Sequence, residues 1–234
     1  MSKNAELSRK DMKEPDQFQV AAGEAASWLT GHRRQALLVG GGAVAVLVIG
    51  LVVSGVRERR AQEAGAALSE VLKVAGGDVT PVPLPGAPGP FFATEAQRQK
   101  AVVDAAARSA APLASLLKGD AHLKLGEWDA AAAAYQAYLS AAPKEDSFRF
   151  SALEGLALVE EGKGNGEAAL AAWARLAAEV PGQADRADLA RARLLVAAGK
   201  KEEARKLLAG FGEAHKGSAL AGEAADRLAK LGGK

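Results

Sequence analysis

The chain reads as all-α: a single N-terminal transmembrane helix, then an α-solenoid of about three helical hairpins plus a C-terminal capping helix. Three observations predict this. Residues 36–56 (ALLVGGGAVAVLVIGLVVSGV) carry no charge and are bracketed by arginines. The composition is 49% apolar but only 5% aromatic, rich in alanine, which suits closely packed helices and poorly suits β-sandwiches. Finally, glycine, alanine, a large apolar residue and proline recur at fixed offsets through the second half of the chain.

The apolar run is long enough for a bilayer. At about 1.5 Å of rise per residue it matches the roughly 30 Å hydrocarbon core. Arg33 and Arg34 precede it, and Arg57, Arg59 and Arg60 follow. Charge at both ends and none between is what one spanning helix needs, with basic heads at the two interfaces. The rival reading is a cleaved signal peptide, whose apolar core is shorter, about 7–15 residues, and follows a short basic segment. Small residues stand four apart in the run, Gly41 with Ala45 and Gly50 with Ser54. That spacing permits close contact with another membrane helix, and it is also common in such helices generally.

Before the run lie residues 1–35. The first fourteen mix charges without apolar period and read as a tail. Phe18, Ala22, Ala25 and Leu29, with Trp28 beside the last, mark either an amphipathic pre-membrane helix or a plain lead-in to the anchor. After the run, 57–77 continues as a juxtamembrane helix stopped by Gly76 and Gly77. Residues 78–93 hold Pro81, Pro83, Pro85, Pro88 and Pro90, a density that reads as a semi-rigid extended spacer. Pro85-x-x-Pro88 is a weak SH3-type pattern. Residues 94–234 form the repeat domain. It opens on Thr94-Glu95-Ala96-Gln97, a capping-box pattern starting a helix to about Ser109. Pro112 suits the first turn of the next helix.

The repeat is anchored on Gly126, Gly164 and Gly199. Ala131, Ala169 and Ala204 stand five residues later, and Tyr135, Trp173 and Leu208 four beyond those. Pro143 and Pro181 follow by eight, with Lys216 in the third copy; Gly119 lies seven before Gly126. Each offset has a cause. The glycine ends one helix in a left-handed turn, and the alanine lets two helices cross closely. The large residue fills the space against the next unit, and the proline stops the second helix. The hairpins so predicted are 112–125 with 127–142, 146–162 with 165–179, and 185–198 with 200–213. Ser218–Leu231 caps the last. A generic helical bundle is the competing architecture.

This pattern resembles the tetratricopeptide repeat. Tail, anchor and hairpins together are similar to the ancillary subunit family of the bacterial SecYEG translocon. That likeness rests on Asp16-Gln17-Phe18 and Trp28, on Ala111-Pro112-Leu113-Ala114-Ser115-Leu116, and on Gly126-Glu127-Trp128-Asp129-Ala130-Ala131. Members are similar in turn to the periplasmic tetratricopeptide domain of a cell-division coordinator that lacks the anchor. The resemblance implies a bacterial inner-membrane protein with a cytoplasmic N-terminus and a periplasmic repeat domain. It also implies protein partners: translocon subunits, exported chains or periplasmic chaperones. A tethered adaptor for cell-envelope or division machinery is the alternative.

The resemblance places the second, fifth, ninth and twelfth positions of each first helix on an inward face. Here these include Leu116, Asp120, Leu123, Glu154, Leu158, Glu161, Arg186, Leu189, Arg193 and Val196, a groove of mixed sign or else ordinary solvent-facing positions. The Lys/Asn/Arg set that holds a peptide carboxylate in chaperone-docking repeats is missing, so a broader apolar or mixed contact is expected.

Chemistry is not expected. The chain has no cysteine, which excludes disulfides, thiolate metal sites and thiol catalysis. His32, His122 and His215 lie far apart in sequence, GKGNG at 162–166 reads as a turn, and no G-x-S-x-G occurs. Hence no enzyme, cofactor or metal is expected. The near-balanced charge, 30 basic against 28 acidic residues, includes no basic block for nucleic acid.

Overall fold

The computed structural model describes Gly23, Ser27, residues 33–82, Gly86 and residues 89–232, without the side chains of 33–45. The amphipathic pre-membrane helix (Phe18, Ala22, Ala25, Trp28, Leu29) and Pro85-x-x-Pro88 lie outside the described residues. The chain divides into two compact units, 1–60 and 61–234.

Helix α1 (Arg33–Ala75) contributes to both units. In the first, the large apolar side chains from Val46 to Val53, and Val56, are exposed. Among the described residues no helix is long and apolar enough to cross a membrane. Residues 36–45, the first half of the apolar run, have no described side chains. Gly41 and Ala45 fall there, while Gly50 stands open and the Ser54 hydroxyl donates to Leu51 O at 2.9 Å.

The second unit is all-α apart from one very short pairing. It begins with the end of α1, where Leu68, Val71 and Val74 pack against Val102, Ala105 and Ala106 of α2 (Glu95–Ala106) and Ala114 and Ala121 of α3 (Pro112–Leu125). Residues 57–77, expected as a juxtamembrane helix, are helical to Ala75, and the part from 61 belongs to this packed unit. The spacer expectation changes with them. Asp78–Val79 (β1) and Phe91–Phe92 (β2) pair in parallel, Asp78 opposite Phe91, so the two ends of the proline-rich segment lie side by side. Asp78 N–H donates to Pro90 O and Thr80 N–H to Phe92 O, at 3.1 and 2.9 Å. Gly77 is required here: a Cβ would stand 2.6 Å from the Phe92 ring and 2.9 Å from Pro90 O. Arg98 closes the base, donating to Gly77 O at 3.1 Å.

The capping box forms as the sequence suggests. Thr94 Oγ1 accepts from Gln97 N–H at 3.2 Å, and Gln97 Oε1 accepts from Ala93 N–H at 3.0 Å. The helix ends at Ala106, short of Ser109.

Three hairpins follow: α3 with α4 (Trp128–Ala141), α5 (Arg149–Gly162) with α6 (Gly166–Glu179), and α7 (Ala184–Ala197) with α8 (Lys201–Ala209). Their turns are the same structure three times. Gly126, Gly164 and Gly199 have φ of 75°, 78° and 76°. The next residue's N–H reaches back to the helix, Glu127 to His122 O, Asn165 to Glu160 O and Lys200 to Leu195 O, at 2.9, 2.9 and 2.8 Å. This is the Schellman closure that a left-handed glycine allows. Ala131, Ala169 and Ala204 are wholly buried, and Tyr135, Trp173 and Leu208 fill the core beside them.

The third copy departs before the position of its missing proline, Lys216. Instead of running to 213, α8 stops at Ala209, and after Gly210 a single turn, α9 (Phe211–Ala214), buries Phe211. The capping helix α10 (Ala221–Gly232) then covers Leu189, Ala192 and Leu208 with Ala224, Leu228 and Leu231.

Candidate functional site

The ten residues expected on an inward face divide into three groups. Leu116 and Leu189 are buried core: Leu116 packs with Tyr135 and Tyr138, and Leu189 lies under α10 with Phe211. They offer a partner almost no surface. Leu123 and Leu158 are partly buried, and Val196 is exposed.

The charged residues are matched to one another. Arg186 on α7 meets Glu154 on α5 at 2.9 Å, and Arg193 meets Glu161 at 2.6 Å. Trp173 Nε1–H also donates to Glu161, at 2.7 Å. The mixed sign expected from the sequence is present, but it is consumed in pairs that tie the second hairpin to the third.

Asp120 differs, because it takes its hydrogen bond from the Tyr135 hydroxyl, at 2.7 Å. Burial pushes its carboxyl above the usual carboxylate range, opposed by that bond and by Lys124. Burial and the Asp120 charge likewise push the Tyr135 hydroxyl up, so it stays a neutral donor. The ring itself is wedged between two glycines. A Cβ on Gly119 would stand 2.6 Å from it and one on Gly155 2.2 Å. These glycines are bare because the tyrosine occupies their side-chain space.

His122 and His215 each face a carboxylate. His122 Nδ1 lies 2.6 Å from Glu127 Oε2 across the first turn, and His215 Nε2 lies 2.9 Å from Asp188 Oδ2.

Two adjoining spaces lie against the third hairpin. One cleft of about 620 Å³ runs past Leu158, Trp173, Arg186, Leu189 and Arg193 to Leu220, Glu223 and Arg227 of the C-terminal segment. A smaller, more apolar cavity of about 230 Å³ adjoins it through Arg193 and Arg227, lined also by Ala192, Val196, Leu208, Lys230 and Leu231. Arg227, Lys230 and Leu231 were not among the residues expected from the sequence, because the pattern there identifies a cap and not a binding element. The strong amphipathic spacing of 221–232 was the available signal. No protein-family model, curated protein or solved structure matches this chain.

Proposed function

We propose that the chain is a non-enzymatic, membrane-anchored protein-interaction scaffold, its hairpins forming a tetratricopeptide-like solenoid tethered through residues 36–56. The observation that carries this is the stack of three identically closed hairpins whose open cleft is lined by leucine, tryptophan and paired charges. Such a surface suits contact with a polypeptide. The uncharged 21-residue run between arginines supplies the anchor. Tethering raises the effective concentration of a weak binding surface near its partner.

The partner assigned is the bacterial translocon with its exported chains or periplasmic chaperones, on the strength of the resemblance described above. The N-terminus is then cytoplasmic and the hairpins periplasmic. Three experiments test the reading. Alkaline carbonate extraction of membranes should leave the full chain in the pellet. Protease added to spheroplasts should digest residues 61–234; a protected repeat domain rejects the orientation. Photo-crosslinking from Leu158 or Val196 in native membranes should recover translocon subunits or chains in transit. Recovery of division proteins in their place would favour the envelope-adaptor alternative.

A further inference from the structure

The turn Gly162-Lys163-Gly164-Asn165-Gly166 closes the second hairpin, and its chemistry differs from that of the other two. The residue after the left-handed glycine is Glu127 in the first turn, Asn165 in the second and Lys200 in the third. Of these, Asn165 alone carries a side-chain amide, and a glycine follows it. The chain's other asparagine, Asn4, precedes Ala5, and no Asp-Gly pair occurs. Asparagine is thermolabile because the next residue's backbone nitrogen comes within reach of its side-chain amide carbon. Glycine at that next position removes the Cβ that would obstruct the approach.

The fold leaves the approach open. Asn165 and Gly166 are exposed, and a Cβ on Gly166 would meet nothing within 4 Å. Asn165 stands at the N-cap of α6 with φ −84° and ψ 69°, outside helical geometry. An N-cap asparagine ordinarily fixes its side-chain oxygen on an N–H of the first turn, and here that bond is not made. The amide is held instead through Nδ2–H, which donates to Glu160 Oε2 at 2.9 Å. The Gly166 N–H donates to Gly164 O at 3.1 Å, a γ-turn bond that the attack has to release.

We infer that Asn165 is a site of spontaneous deamidation in the folded protein, and that the change loosens the second turn. The Gly166 nitrogen attacks Asn165 Cγ. The N–Cγ bond forms, the Cγ–Nδ2 bond breaks, and Nδ2 leaves as ammonia with the Gly166 proton. Water then opens the cyclic imide. Opening at Cγ gives aspartate, and opening at the main-chain carbonyl gives isoaspartate, whose backbone runs through the former side chain. The aspartate puts a carboxylate where an amide donated to Glu160, and like charges that close repel. The isoaspartate adds a methylene to the main chain just after the residue 165 N–H, which donates to Glu160 O at 2.9 Å.

The inference is independent of the scaffold reading. The full-length chain in phosphatidylcholine nanodiscs is aged for days in mildly alkaline buffer at physiological temperature. Mass spectrometry then follows the tryptic peptide from Gly164 to Arg175 beside the one that carries Asn4. Residue 165 should lose its amide, divided between aspartate and isoaspartate, and faster than Asn4 does. Gly166→Ala should slow the loss roughly tenfold or more, because the added Cβ obstructs the attacking nitrogen. The aged chain should melt at a lower temperature. Asn165→Asp should lower melting in the same direction, and Glu160→Gln in that background should restore it. Retention of the amide in the folded chain, while a urea-unfolded sample loses it, overturns the inference, as does loss no faster than at Asn4. An unchanged rate in Gly166→Ala overturns the route through the glycine nitrogen. Unchanged melting after full conversion overturns the loosening of the turn.

Discussion

Glu161 and Arg193 stand 32 residues apart and are joined by two hydrogen bonds, 2.6 and 2.8 Å, from one guanidinium nitrogen to both carboxylate oxygens. Glu154 and Arg186 repeat that separation two turns earlier in each helix. The two pairs run between the same helices, α5 and α7, and fix how the second and third hairpins sit against each other. Arg193 is half exposed, 49% of its side chain. A double-mutant cycle with Glu161→Gln and Arg193→Gln should give a coupling of about 0.5–1 kcal/mol in urea denaturation, falling as salt is raised. The Glu161 single variant should cost more than the Arg193 variant, because Trp173 Nε1–H loses its charged acceptor as well.

Gly155→Ala should destabilise the fold, although alanine in an exposed helix interior is ordinarily preferred by about 1 kcal/mol. Its Cβ would stand 2.2 Å from Tyr135 Cζ, inside the ring's own volume. Overpacking of this kind costs about 1–3 kcal/mol. Thermal melting of Gly155→Ala against Gly166→Ala, a position with open space around it, separates the steric effect from propensity.

Replacing Gly164 by alanine should cost about 1 kcal/mol through the left-handed turn alone. Space is not the issue, because nothing lies within 4 Å of the added Cβ. The matching substitution at Gly199 should cost the same, and equal losses at the two would confirm the repeated closure.

Acid should destabilise the hairpins, with one exception. Hydrogen bonds from Tyr138 and the Phe148 amide lower the Asp146 carboxyl, bonds from Arg175 and Arg149 lower that of Glu179, and a bond from Ser218 lowers that of Asp185. A carboxyl lowered on folding stabilises above its unfolded value, near 4, and that contribution is lost as pH falls through the folded value. Asp120 has the opposite sign, since burial raises it and its ionised form is penalised in the fold. Stability measured by urea titration should fall below about pH 4. Asp146→Asn should flatten that slope and Asp120→Asn should steepen it.

The three hairpins were legible because each signal is local. A left-handed turn selects glycine, a close crossing selects alanine, and both act within a few residues. The fourth packed pair, the end of α1 with α2, carries neither mark. Its connection is proline-rich, and composition alone reads that as extended chain. What folds it back is tertiary, namely Gly77 under Phe92 and Arg98 on Gly77 O. The site was half legible. The positions of Asp120, Glu161 and Arg193 followed from the repeat. The pairing of Glu161 with Arg193 did not, because that ion pair is spaced by 32 and the glycines by 38 and 35. Leu189 was expected on the inward face, and α10 covers it.

The parallel pairing of Asp78 with Phe91 has a consequence for how this chain can vary. With the ends of the proline-rich segment held together at their base, that base sets the distance the segment has to span. Doubling such a loop costs about 0.6 kcal/mol, a small fraction of the stability of an ordinary domain. Residues 81–89 are thus where insertions can accumulate, or a reporter be placed, while α1 and α2 remain in contact on either side.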